Sequence, residues 1–207
     1  KAHILIGHPY MQLILKQLNI LERKIRGAQS IEAKCELLWR AAEIWENEIG
    51  DESRAIATLE RVRVLLPDER KTIDWLCRLH RSLSQFVPLT NLLEHLVSVL
   101  DEPAELVEIF RELGSVSEQH LDSVDGAIGW FQKLLGLAPA DEQGWADLTR
   151  LYDLVGRPND LLGLLGHQLD YVDEPVERVQ IHRRRAEILE KDLEDLEGAA
   201  DSLRALL

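Results

Sequence analysis

Shifted by 72 residues against itself, the chain lays Trp75–Pro103 on Asp147–Pro175. In that window Leu76, Arg78, Leu79, Leu89, Leu92, Leu93, His95, Asp101, Glu102 and Pro103 all meet identical residues. Ten identities in 29 positions compare with roughly 3 expected by chance at a leucine-rich composition. A shift of 144 lays Ala42–Leu59 on Ala186–Leu203, where Ala42, Glu43, Ile44, Glu46, Asp51, Ala55 and Leu59 find their like. Tandem units of this length cannot bury their apolar faces alone, so neighbouring units have to stack. The internal repeat therefore points to an array of stacked units before any element is assigned.

Within each unit the apolar period is helical. Leu37, Leu38, Ala41, Ala42, Ile44, Trp45 and Ile49 recur at three- and four-residue spacings, one face of a helix. Gly50 ends that run, Asp51 is suited to cap the next helix, and Pro67-Asp68 breaks it. Asp101-Glu102-Pro103, repeated as Asp173-Glu174-Pro175, puts proline at a first helical position where its missing N–H costs nothing. The pattern predicts eleven helices: 10–25, 31–49, 51–66, 70–83, 88–100, 104–121, 123–137, 141–155, 158–171, 176–193 and 195–207. Loops this short between them force antiparallel hairpins.

Composition narrows the function. The 207 residues carry 37 acids against 24 bases, a formal net charge of −13, which is unsuited to binding nucleic acid or an anionic membrane through phosphate neutralisation. A base-reading residue pair at a fixed slot, as in helical-repeat RNA binders, is also missing. No apolar run reaches the roughly 20 residues of a membrane span, and the short stretch His3-Ile4-Leu5-Ile6-Gly7 lacks the layout of a signal peptide. Cys35 and Cys77 are too few for a disulfide scaffold or a thiolate zinc site, and they read as small core residues in a reducing, cytoplasmic setting. The start at Lys1 and the end inside an apolar run suggest a piece of a longer polypeptide, with residues 1–30 the end of a preceding repeat and 31–207 the repeat array.

Trp145, Leu148, Thr149 and Tyr152, followed by Gly156, resemble the tetratricopeptide repeat: Trp, two residues, Leu, a small residue, two residues, Tyr, then a turn glycine. Trp39, Ala42, Gly50, Ala55, Leu59 and Pro67 fill the slots of another hairpin, and Ala127, Phe131 and Pro139 fill second-helix slots again, as do Ala199 and Leu203. Hairpin starts near Glu36, Arg70, Glu108, Glu142 and Gln180 are spaced 34, 38, 34 and 38 residues apart, so every second hairpin is four residues longer than the family's repeat. Glu46, Glu118 and Glu190 stand where the motif has tyrosine, which marks a variant packing at that slot. The resemblance implies an all-α, right-handed α-α superhelix of stacked helical hairpins, with a 72-residue double hairpin as its unit. It also implies a scaffold for protein–protein interaction, of a bacterial type.

No phosphate-binding glycine loop, nucleophile elbow or zinc-binding His-Glu-x-x-His occurs. The seven histidines include no i,i+4 pair. No catalytic residue, metal or cofactor is therefore expected. In the resembling family the first helix of each hairpin lines the concave, ligand-binding face. Transferred to this chain, that geometry puts Arg40, Ile44, Arg78, Arg81, Val116, Arg150, Arg184 and Ile188 along one surface, with arginines alternating with aliphatics. Arginine forks carboxylates, so the expected partner is an acidic–apolar protein segment. Two alternatives stand beside this reading. In one, the arginines serve only to pair with neighbouring acids such as Asp74, Glu112 and Asp153; in the other, the chain is a non-catalytic regulatory or assembly domain of a larger enzyme or of a secretion or motility complex.

Overall fold

The computed structural model describes residues 9–206. The segment 3–7, read above as too short for a signal peptide, lies outside them. Among the described residues there are eleven α-helices and no strand: α1 (Pro9–Gly27), α2 (Ile31–Glu43), α3 (Glu52–Leu65), α4 (Arg70–Ser82), α5 (Phe86–Val99), α6 (Pro103–His120), α7 (Val124–Leu137), α8 (Glu142–Val155), α9 (Pro158–Gln168), α10 (Pro175–Lys191) and α11 (Leu196–Arg204). A π-helical turn, Ile44–Ile49, continues α2. The chain forms two compact units, Lys1–Val99 and Leu100–Leu207. Within each unit every helix packs on the next in sequence.

The turns explain the regularity. Gly50, Asp122 and Glu194 all have positive φ, at 75°, 49° and 55°, and each lies 72 residues after the last. Ser84 and Gly156 form a second such series, at 54° and 64°. Backbone hydrogen bonds keep the same step. The amides of Asp51, Ser123 and Asp195 donate to the carbonyls of Trp45, Ser117 and Leu189, and those of Gln85 and Arg157 donate to His80 and Tyr152. Hairpins thus close alternately with a six-residue and a five-residue return. Both use a left-handed residue to satisfy the last helical carbonyls. Asp51, Asp141 and Asp195 cap α3, α8 and α11 by accepting from the third following amide, and Pro103, Pro158 and Pro175 begin α6, α9 and α10.

Small residues set the helix approaches. Ala55 and Ala127 are wholly buried and Ala199 nearly so. A Cβ added to Gly114 of α6 would sit 2.8 Å from the Phe131 ring of α7, so at that crossing even alanine displaces the ring. In the N-terminal unit Ile14, Leu18 and Leu21 of α1 meet Ala41 and Ile44, while Ile25, Cys35, Leu38 and Val62 form a second cluster. Cys35 and Cys77 are both buried free thiols. Burial chiefly raises the Cys35 pKa, with Glu32 and Glu69 adding to it, so this thiol is an inert packing group rather than a nucleophile.

Candidate partner-binding surface

The eight residues expected to line one face fall into three groups. Ile44, Val116 and Ile188 are buried, and Ile44 packs on α1. They are core residues. Each lies six residues before its left-handed turn residue, as Arg78 and Arg150 do, yet the two arginines are exposed; burial by neighbouring helices separates the aliphatics from them.

Arg78 and Arg150 are exposed and already bonded. The Arg78 guanidinium forks the Glu46 carboxylate, its two terminal nitrogens donating at 2.6 and 2.9 Å, and Trp75 Nε1 donates to the same carboxylate at 2.6 Å. In the C-terminal unit Arg150 forks Glu118 in the same way, one bond at 2.7 Å, and reaches Asp147 at 3.4 Å. The acids sit under the arginines: the Glu46 and Glu118 side chains are 12% and 18% exposed, against 56% and 50% for Arg78 and Arg150. The arginine bond holds each carboxyl below its usual range, and for Glu46 the Trp75 bond adds to this. The tyrosine slot of the motif is therefore filled by an arginine-clamped glutamate. Sequence reasoning set Glu46 and Glu118 aside as packing variants. The usable signal was that each is followed 32 residues later by arginine.

Arg184 donates to Asp153 at 2.7 Å and to Glu187 at 3.3 Å. Arg40 is exposed and forms no ion pair among the described residues, and Arg81 is exposed. Arg111, which the sequence did not single out, donates to Asp141 in a less exposed pair that holds the α8 cap in place.

Of the eight, Arg150 and Arg184 line one groove. It lies along α8 and α10 in the C-terminal unit, has a volume of about 580 Å³, and is floored by Trp145, Leu165 and Ile181. Its rim carries Arg150, Asp153 and Arg184, already bonded as described, together with Glu142 and Glu177, which have no ion-pair partner among the described residues. Among the described residues no group of three His, Cys, Asp or Glu side chains is placed to hold a metal ion, and no helix is long and apolar enough to cross a membrane.

No family model matches the chain, and no curated protein does. Solved structures resemble it. MamA from Desulfovibrio magneticus RS-1 is 13% identical over 83% of this chain and 92% of that one, with a TM-score of 0.45. MamA AMB-1 is 19% identical over 84% and 90%, with a TM-score of 0.48. YrrB, a TPR protein with an unusual peptide-binding site, is 14% identical over 81% and 82%, with a TM-score of 0.46. The chain's own stacked hairpins and recurring turns show an all-α helical-repeat fold.

Proposed function

We propose that the chain is a non-catalytic protein-interaction scaffold whose C-terminal unit holds a partner segment in the groove along α8 and α10. The observation that carries this reading is the apolar floor of Trp145, Leu165 and Ile181 under a charged rim, the composition of a peptide groove rather than of a reaction centre. The partner's charge follows from which rim groups are bonded. Arg150 and Arg184 are engaged by Glu118, Asp153 and Glu187, so an acidic segment would have to displace bonds already made. Glu142 and Glu177 are open to a new cation. We therefore favour an apolar segment carrying lysine or arginine over the acidic–apolar one that the arginines alone suggested. The buried free thiols, Cys35 and Cys77, suit a reducing compartment.

Two helical peptides of equal leucine content test this, one bearing lysines and one glutamates, each titrated by fluorescence anisotropy at low and high salt. The lysine peptide binds more tightly and weakens with salt, and Glu142→Gln with Glu177→Gln reduces both its affinity and its salt dependence. Preference for the glutamate peptide would reverse the charge assignment. Binding of neither would remove the groove as a peptide site.

A further inference from the structure

A second recess lies on the other side of α8, between α7 and α9. Its volume is about 420 Å³ and its aromatic floor is Trp145, Tyr152 and Tyr171. The Trp145 and Tyr171 rings are 6.2 Å apart and tilted by 33°. Trp145 is fixed by donating to the Pro139 carbonyl at 2.8 Å, and the Tyr152 hydroxyl by accepting from Gln132 at 2.7 Å. The walls are open because Gly136 and Gly163 line them, and a Cβ added at either glycine would meet nothing within 4 Å.

At the mouth stands Asp160, exposed and without an ion pair or hydrogen bond among the described residues. It is close enough to raise the Tyr152 pKa, although burial is the larger cause. The N-terminal unit differs at the same step. At the positions 72 residues earlier Val64 stands for Gly136, Asn91 for Gly163, Ile73 for Trp145, Val99 for Tyr171 and Pro88 for Asp160. The glycines, the aromatics and the carboxylate thus occur together in one unit only, and the repeat's own packing does not require them.

We propose that this recess is a second binding site, separate from the α8–α10 groove, and that it takes the arginine side chain of a partner segment. A guanidinium stacks on tryptophan and tyrosine faces, where the ring quadrupole attracts a cation. The Asp160 carboxylate supplies the opposite charge at the entrance, and the glycines leave room for the methylene stem to enter between α7 and α9.

The test is amide and indole NMR of the full chain, titrated with N-acetyl-L-arginine amide and with its neutral isostere N-acetyl-L-citrulline amide. The Gly136 and Gly163 amides report this recess alone, and the Gln180 and Ile181 amides report the α8–α10 groove, so failure of either site is read separately. Arginine gives saturable shifts at Gly136 and Gly163, about tenfold tighter than citrulline. Asp160→Asn lowers arginine binding to the citrulline level. Gly136→Val with Gly163→Asn installs the residues of positions 64 and 91 on open helix faces, and it abolishes the Tyr171 amide shift while leaving the circular dichroism unchanged. Equal response to arginine and citrulline, or binding retained in the double variant, overturns the proposal.

Discussion

Glu46 and Glu118 occupy the same step of the repeat, and each is clamped by an arginine 32 residues further on, yet the third member of each cluster differs. In the N-terminal unit Trp75 adds a second donor to the glutamate. In the C-terminal unit the residue at that step is Asp147, a second acid that shares Arg150. The first cluster keeps a donor if its arginine is lost, whereas the second is left with two carboxylates facing each other. The same fold position is thus held by hydrogen bonding that is redundant in one unit and by a single cation in the other.

The largest effects test whether the two units share one packing scheme. Ala55→Leu and Ala127→Leu each overpack a close helix crossing and cost on the order of 1–3 kcal/mol, read from urea unfolding midpoints. A neutral Ala55→Leu would show that the two positions are not equivalent.

Next comes the clamp. Arg150→Ala costs about 1–2 kcal/mol near neutral pH because it strands the Glu118 carboxylate, while Arg78→Ala costs less than about 1 kcal/mol because the arginine is half exposed and Trp75 remains. The pH dependence has a definite sign. Both glutamates have lowered pKa values in the folded chain, so their contribution is present above the unfolded carboxyl value and is lost as pH falls below about 4. Arg150→Ala removes that loss and makes the acid limb of the stability profile flatter. Equal costs for the two arginine variants would erase the contrast between the clusters.

Smaller effects come from the turns. Gly50→Ala strains a left-handed residue and costs about 1 kcal/mol, and Glu194→Gly at the equivalent turn gains a similar or smaller amount. The smallest concerns His182. It stands 72 and 144 residues after Phe110 and Leu38, and its Nδ1 is buried without a partner. Burial chiefly lowers its pKa, with Arg185 and Arg178 contributing. The neutral form therefore supports the fold, and that support is lost as pH falls from about 6.5 through the lower folded value. His182→Leu gains about 0.5–1 kcal/mol and removes this step, which would appear in thermal melts between pH 7 and 5.

Most of the fold was legible in the chain because its determinants are local and repeated. Gly50, Asp51, Pro67, Pro103 and Pro175 punctuate the helices at the expected places, and the apolar period marks their buried sides. The binding surface was less legible, because which residues a neighbouring helix covers is not a local property of the sequence. Ile44, Val116 and Ile188 share a sequence slot with Arg78 and Arg150 but are buried, Ile44 against α1, whereas both arginines are exposed. The partners of the arginines were hidden for the same reason: Glu46 and Glu118 lie 32 residues before their arginines, on the preceding hairpin, and read as departures from a packing motif. Arg184 meets Asp153.

The central claim, that a cationic–apolar segment lies along α8 and α10, is tested most directly by NMR shift mapping of the full chain with the leucine–lysine peptide. The account predicts saturable shifts at Glu142, Thr149, Glu177, Gln180 and Ile181, with the N-terminal unit unmoved. Shifts centred on the N-terminal unit, or an equal pattern with the leucine–glutamate peptide, would contradict it.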